Sequence, residues 1–193
     1  VGKPLAGQAV RIGDNGEVLV RGPGLCQTQS GELPPIDADG FMSTKDLGRF
    51  DEEGFLYLTG RISDVIKTSN GRRIALPKLE MHFRDVPGVD QMVIVGHGRS
   101  CLVALASRSD TTTTIHDIAQ QLVKKNWQVS PPERLAGILF LSEGFSIKRG
   151  EMTGNLKLRR MDIERNNADA LKSMYEDIQQ KGSDPEHLLV REI

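Results

Sequence analysis

Charged side chains that could bind an anion or a polar ligand stand in three separate segments of the sequence. Asp46 can accept two hydrogen bonds side by side through its two carboxylate oxygens. Arg61 carries a guanidinium fork that matches phosphate oxygens, and the ammonium group of Lys157 can reduce the repulsion between two anions. Each residue alone also has an ordinary interpretation, because an aspartate near a glycine commonly caps a hairpin and a lysine in a basic strip is commonly solvated. Which interpretation applies to each residue therefore depends on the strands, helices and loops that position it.

The first 60 residues are predicted to form short strands joined by turns. Asn15 and Gly16 suit a tight hairpin turn, and residues 51–54 make a second turn of the same kind. The Gly- and Pro-rich stretch 22–40 between the two hairpins is expected to be a long surface loop. This part of the chain should therefore fold as a small β-barrel-like subdomain. Its predicted strands cover residues 8–12, 17–21, 46–50 and 55–59.

Beyond Gly60, apolar strand patterns alternate with helical ones, which predicts a compact α+β domain. A run of threonines ending at Thr114 can cap one helix, and a single final helix is expected from about Arg160 to Lys181, followed by a loose tail of ten residues. The predicted fold class is therefore α+β, with the β-barrel-like subdomain first, the compact domain second and the boundary near residues 60–64. The other predicted strands cover residues 64–67, 91–95, 102–106 and 138–141, and the other helices cover 77–83 and 114–125.

Composition and charge exclude several classes of protein. A formal net charge of -1 gives no preference for nucleic acid, and no apolar run approaches the roughly 20 residues that span a bilayer. Cys26 and Cys101 lie far apart with no neighbouring metal-ligand spacing, so we expect no metal site, no disulfide framework and a reducing, cytoplasmic location. The chain opens with Val1 in turn-like sequence without an initiator Met, so we expect a piece of a longer protein.

Three segments, in a fixed order, carry a family resemblance. Residues 39–48 (DGFMSTKDLG) are similar to a Gly-Trp-Phe-x-Thr-Gly-Asp-x-Gly signature. Residues 60–80 (GRISDVIKTSNGRRIALPKLE) are similar to Gly-Arg-x-x-Asp-x-Ile-x-Thr-Ser-Gly-Gly-x-x-x-x-Pro-x-x-x-Glu, with the same number of residues between the ends. Residues 145–160 (FSIKRGEMTGNLKLRR) are similar to Leu-Thr-Pro-Thr-Leu-Lys-Leu-Lys-Arg. Together they resemble the C-terminal part of the AMP-forming acyl-CoA synthetases, in the long-chain fatty acid group of the adenylate-forming enzymes.

The resemblance implies roles for individual residues. Asp46 would accept hydrogen bonds from both ribose hydroxyls of ATP, and Arg61 would contact the nucleotide. Lys157 would be the catalytic lysine of adenylation, which reaches the active site when a mobile lid closes. The hinge of that lid would be formed by Ile62, Ser63 and Asp64, with the small Ser63 at the pivot.

The resemblance also implies a CoA-binding loop at residues 68–73. Gly71 would allow close approach of the backbone, and Ser69, Arg72 and Arg73 would meet CoA, the arginines through its phosphates. A plain β-hairpin whose basic residues face solvent explains Arg72 and Arg73 equally well, and both interpretations stay open.

The implied reaction has two halves. A fatty acid and ATP give acyl-AMP and pyrophosphate, and the thiol of CoA then displaces AMP. Residues 1–60 would end the large AMP-binding domain, 61–64 would be the hinge and 65–193 the lid. The phosphate loop, the acyl tunnel and most of the Mg²⁺ site would lie in an upstream domain, so this piece should not catalyse alone. Peripheral membrane association of the parent protein stays open.

Two other functions remain compatible with the sequence. The same lid could serve an acyl-ACP synthetase or another adenylating enzyme whose acceptor is a carrier protein. Alternatively, the chain could belong to a degenerate, non-catalytic homologue. In this sequence Lys45 and Asn70 stand where the family usually has glycine, and Gly154 stands where it usually has proline. The presence of Asp46, Arg61 and Lys157 at the matching positions favours an active enzyme.

Overall fold

The computed structural model describes residues 1–25, 36–109, 112–182 and 188–193. Most of the predicted loop 22–40, including Cys26, lies outside these ranges. The chain divides into two compact units, Val1–Val65 and Ile66–Ile193. The α+β class predicted from the sequence is confirmed, since the first unit is built on an antiparallel sheet and the second combines a mixed sheet with helices on both faces.

The first unit is a four-stranded antiparallel sheet in which the strands follow one another in sequence order. Both predicted hairpins are present, and their turns place Gly16 at φ 85° and Gly54 at φ 81°, a backbone region that glycine reaches without strain. A short 3-10 helix, Ile62–Asp64, follows the last strand. The strands are β1 (Ala9–Ile12), β2 (Glu17–Arg21), β3 (Met42–Phe50) and β4 (Leu56–Arg61).

Strand β3 is irregular where the predicted nucleotide residue lies. Its pairing with β2 shifts register between Glu17 and Leu19, and its pairing with β4 shifts between Leu47 and Gly48. Irregularities of this kind bend a strand and redirect its side chains, and they are frequent next to active sites. Asp46 therefore sits on a distorted part of the sheet.

The second unit holds a four-stranded sheet in the order β10-β9-β8-β7 and a two-stranded sheet of β5 and β6. The pair β7 and β8 is antiparallel, whereas β9 runs parallel to both β8 and β10. The long strands are almost entirely buried, as expected for strands covered on both faces. The strands are β5 (Val65–Lys67), β6 (Arg73–Ala75), β7 (Val89–Val95), β8 (Leu102–Arg108), β9 (Leu135–Leu141) and β10 (Leu189–Glu192).

Helices cover both faces of this sheet. Leu79 and Phe83 of one helix and Ile118 of the next pack on one face, and Ile163 and Met174 pack on the other. Thr114 caps its helix by accepting a hydrogen bond from the Asp117 backbone N–H at 3.1 Å, as the threonine run predicted. None of the helices within the described ranges has the length and apolarity of a membrane span. The helices are α1 (Leu76–Phe83), α2 (Ile115–Asn126), α3 (Arg160–Asn166) and α4 (Ala168–Lys181).

Two predictions about the end of the chain were wrong. The expected single final helix is broken at Asn167, whose backbone leaves the helical region at φ -113° and ψ 21°. The Asn167 side chain donates to the Ile163 carbonyl at 2.8 Å, so it satisfies a helix end and stops α3. The last residues are not a loose tail, because β10 extends the sheet beside β9 and Arg191 forms an ion pair with Asp177 of α4.

Candidate functional site

Asp46 and Arg61 lie opposite each other on strands β3 and β4. The Nε atom of Arg61 is 2.9 Å from the Oδ1 atom of Asp46, and the side chains are 66% and 25% exposed, respectively. Within the described ranges, the second carboxylate oxygen and the two terminal nitrogens of the guanidinium have no other partner. The pair therefore presents an acceptor beside two donors, an arrangement that suits a ligand with adjacent hydroxyl and phosphate groups.

Lys45, which stands where the resembling family has glycine, has a left-handed backbone with φ 62°. Its N–H donates to the Oε1 atom of Glu17 at 3.0 Å, and the hydroxyl of Ser43 donates to the same oxygen. Glu17 is only 8% exposed, and the hydrogen bond from Ser43 lowers its pKa although burial opposes that shift. The structure thus keeps the conformation that glycine would favour, and Glu17 holds it in place. No local pattern indicates this role of Glu17, because Ser43 and Lys45 lie more than 25 residues away from it in the sequence.

The predicted hinge residues form the 3-10 helix Ile62–Asp64, one residue before the division between Val65 and Ile66. Ser63 is exposed, and its hydroxyl donates to the Oδ1 atom of Asp64 at 3.3 Å. None of the three residues is buried, so little packing opposes a change in their backbone angles. Their role as a hinge stays a prediction.

The loop at residues 68–73 is a tight turn with a fixed base. The Gly71 N–H donates to the Thr68 carbonyl at 2.9 Å, and Gly71 has φ 81°. The N–H of Ser69 donates to the carbonyl of Arg99 at 2.9 Å, which ties the loop to the turn after β7. Ser69, Gly71, Arg72 and Arg73 are all exposed. The geometry is compatible with both interpretations of this loop, and its binding of CoA stays a prediction.

Lys157 lies on a small hairpin closed by backbone hydrogen bonds. The Thr153 N–H donates to the Lys157 carbonyl and the Leu156 N–H donates to the Thr153 carbonyl, both at 2.9 Å. Leu156 has φ 58°, a conformation that costs a non-glycine residue energy. The Lys157 side chain is exposed, and its ammonium group has no partner in the ranges that the structure describes. The backbone is therefore fixed while the charge remains available.

The entry to this hairpin is anchored by Glu151, which is 2% exposed. Its carboxylate accepts from the Arg149 Nε at 2.9 Å and from the Ser146 N–H at 3.2 Å, and its carbonyl accepts from the Arg159 N–H at 2.7 Å. A buried carboxylate is stable only with such partners. No local pattern in the sequence indicates this anchor, because it depends on the fold that brings Ser146 and Arg159 to Glu151.

The described part of the chain contains no group of three or more His, Cys, Asp or Glu side chains arranged for a metal.

The loop at residues 68–73 and Lys157 both lie within a segment that matches a known protein family. The model of the AMP-binding enzyme C-terminal domain matches residues 63–179, a segment that contains the loop at 68–73 and Lys157. The chain belongs to the AMP-binding enzymes. Over 202 aligned residues, this AMP-binding enzyme chain is 31% identical to the long-chain-fatty-acid–CoA ligase FadD15 of Mycobacterium tuberculosis, a match covering 91% of the chain and 34% of that protein. It is 24% identical to the long-chain-fatty-acid–CoA ligase ACSBG1 of Rattus norvegicus over 185 residues, which cover 75% of the chain and 26% of that protein.

A solved structure shares the fold. The adenylation domain of carboxylic acid reductase from Segniliparus rugosus, in complex with AMP and a co-purified carboxylic acid, aligns with a TM-score of 0.73. The two sequences are 20% identical, and the alignment covers 91% of this AMP-binding enzyme chain and 32% of the other. The chain thus spans about a third or less of the length of the relatives it matches.

Proposed function

We propose that this chain is the C-terminal part of an AMP-forming long-chain fatty acid–CoA ligase. The observation that carries the proposal is the exposed, unpartnered ammonium group of Lys157 on a hydrogen-bonded hairpin within the matched family segment. As a carboxylate attacks the α-phosphate of ATP, negative charge accumulates on the phosphoryl oxygens. One ammonium group held between the two anions lowers their repulsion.

The nucleotide would be held on the first unit. The free oxygen of Asp46 would accept from a ribose hydroxyl, and the terminal nitrogens of Arg61 would contact the nucleotide oxygens. These residues fit ATP and AMP because the ion pair presents acceptor and donors together. Mg²⁺ would be held mainly by an upstream domain, which would also contain the phosphate loop and the fatty acid pocket.

The second half-reaction would use the loop at residues 68–73. Ser69 and Gly71 would let CoA approach the backbone, and Arg72 and Arg73 would contact its phosphates. Residues 1–60 would then belong to the large domain, Ile62, Ser63 and Asp64 to the hinge, and residues 65–193 to the lid. Rotation about the hinge would present Lys157 in one half-reaction and the loop in the other. We place the enzyme in the cytoplasm, acting in fatty acid metabolism.

The decisive experiment measures the two half-reactions separately in the full-length enzyme carrying Lys157→Ala. Acyl-AMP formation from fatty acid and ATP should fall by at least about 10²-fold, the cost of removing one preorganised charge partner. Thioester formation from supplied acyl-AMP and CoA should stay within about twofold of the unmodified enzyme. Lys148→Ala is the matched control, because Lys148 is an exposed lysine of the same basic segment.

Three outcomes would contradict the proposal. Equal loss of both half-reactions would mean that Lys157 has no specific role in adenylation. An unmodified full-length enzyme that forms no acyl-AMP would favour the degenerate homologue, and transfer to a carrier protein but not to CoA would favour an acyl-ACP synthetase.

A further inference from the structure

A partly buried ion pair joins three elements next to the Lys157 hairpin. The Nη1 atom of Arg160 lies 2.5 Å from Oε1 of Glu80, and its Nη2 atom lies 3.1 Å from Oε2. The side chains are 20% and 19% exposed. Nη1 of Arg160 also donates to the carbonyl of Ile94 at 2.6 Å, and the N–H of Ile94 donates to Oε1 of Glu80 at 2.7 Å. The pair therefore connects α1, strand β7 and the first residue of α3.

The position of Ile94 explains why both charges are needed. Strand β7 is the edge of its sheet, so the N–H and carbonyl of Ile94 are bonded by side chains rather than by another strand. A carboxylate offers two acceptor oxygens, so one accepts from the Ile94 N–H and Nη1 of Arg160 while the other accepts from Nη2. Only a planar guanidinium can donate in parallel to two oxygens and still reach the carbonyl. A lysine or an amide would leave one of these groups without its partner.

Arg160 lies three residues after Lys157, at the exit of the hairpin. The entry is anchored by Glu151, whose carbonyl receives the Arg159 N–H at 2.7 Å. The hairpin is therefore held at both ends, although the Lys157 ammonium group has no hydrogen-bond or ion-pair partner in the described ranges. We propose that Glu80 and Arg160 are positioning residues for Lys157: their ion pair fixes the hairpin so that the ammonium group meets the reacting anions. This inference rests on the adenylation role proposed above for Lys157.

The two half-reactions should respond differently to loss of the pair. The loop at residues 68–73 has its own anchors, the hydrogen bonds between Ser69 and Arg99 and between Thr68 and Arg72, both 2.9 Å. Neither of these involves Glu80 or Arg160. Misplacement of a catalytic group by about 1 Å can cost on the order of 10²-fold in rate, so adenylation alone should fall steeply.

The test uses the full-length enzyme with Glu80→Gln and, separately, Arg160→Lys. We expect each variant to lower acyl-AMP formation by about 10²-fold and to change thioester formation from supplied acyl-AMP by less than about twofold. Arg191→Lys is the matched control, since the ion pair between Arg191 and Asp177 has similar exposure and joins β10 to α4 away from the hairpin. The control should leave both half-reactions unchanged.

A second measurement keeps the proposal testable if activity is lost for another reason. Amide hydrogen exchange of the 193-residue chain carrying Arg160→Lys should be faster at Leu156 and Arg159, while amides in β8 and β9 keep their protection. Unchanged exchange in the hairpin, loss of protection throughout the unit, or parallel loss of both half-reactions would overturn the inference. Normal acyl-AMP formation by Lys157→Ala would contradict the proposed function itself. Loss of acyl-AMP formation in Lys157→Ala, with normal formation in the Glu80 and Arg160 variants, would contradict only the positioning role.

Discussion

The guanidinium of Arg61 and the carboxylate of Asp46 face each other across strands β3 and β4, with Nε and Oδ1 2.9 Å apart. The ion pair occupies one carboxylate oxygen and leaves the other without a partner within the described ranges. Two residues separated by 15 positions in the sequence, each assigned to the nucleotide by resemblance, thus form one feature of the surface.

Removing the Asp46 carboxylate should weaken nucleotide binding. In the full-length enzyme, Asp46→Ala should raise the Kd for ATP by about 10- to 100-fold, because a hydrogen bond to a charged group contributes roughly 1.5–3 kcal/mol. Isothermal titration calorimetry measures this directly. Asp14→Ala, in the exposed turn of the neighbouring hairpin, is the control. An ATP affinity equal to that of the unmodified enzyme would reject the ribose-binding role.

Restoring glycine at position 45 should stabilise the first unit. Lys45 has φ 62°, and relief of that strain should raise the free energy of unfolding by about 1 kcal/mol in Lys45→Gly. The backbone N–H that contacts Glu17 is retained in this variant. Lys45→Ala removes the same ammonium group but keeps a β-carbon, so it should give no such gain. Urea denaturation of the chain compares the two, and equal stability of both variants would rule out backbone strain.

Acid should destabilise the first unit partly through Glu17. The hydrogen bond from Ser43 lowers the pKa of Glu17 in the folded state, so its ionised form contributes stability above the ordinary glutamate pKa of about 4.3. That contribution is lost as pH falls through the lower, folded-state value. In Glu17→Gln, the free energy of unfolding should therefore change less between pH 7 and about pH 3 than in the unmodified chain. The carboxylates of Asp37 and Asp51 also have lowered pKa values but titrate in both proteins, so their effect cancels. Identical pH dependence in the two proteins would contradict the role of Glu17.

Restoring the family proline should stiffen the Lys157 hairpin. The hydrogen bond from the Leu156 N–H to the Thr153 carbonyl places Gly154 at the second position of a β-turn, where proline is favoured. A β-carbon at Gly154 would meet no atom within 4 Å, and its N–H has no partner in the described part of the chain. Gly154→Pro should therefore raise the free energy of unfolding by about 0.4–1 kcal/mol, through fewer unfolded conformations. Gly154→Ala should give a smaller gain, and a proline variant less stable than the alanine variant would exclude this turn geometry.

Local signals predicted most of the fold. Asn15 and Gly16 indicated the first hairpin, and Thr114 indicated the start of α2, because turns and caps depend on neighbouring residues. Strand β10 was missed because its pairing with β9 joins segments about 50 residues apart, and its short sequence has little strand preference of its own. The break at Asn167 was missed because it depends on a side chain bonding to the backbone of the preceding turn.

The candidate site, like the fold, was predictable from the sequence only where local motifs indicated it. Lys157 and Asp46 were assigned roles because they match charged positions of contiguous motifs. Glu80 and Arg160 stand at the ends of two of these motifs, but the sequence did not indicate that they meet each other. Glu80 and Arg160 are 80 positions apart, and Glu17 and Ser43 are 26 apart. Such contacts form only when the sheets assemble, and no charge pattern in the sequence indicates which carboxylate meets which base.

The contacts at Ile94 also affect how separate molecules meet. An open sheet edge offers its backbone N–H and carbonyl groups to any extended peptide, and this is a common route to aggregation. At this edge of the sheet, Glu80 and Arg160 already occupy both backbone groups of Ile94. An incoming strand would have to displace a charged pair before it could add to the sheet, so the same contacts protect the protein against unwanted self-association.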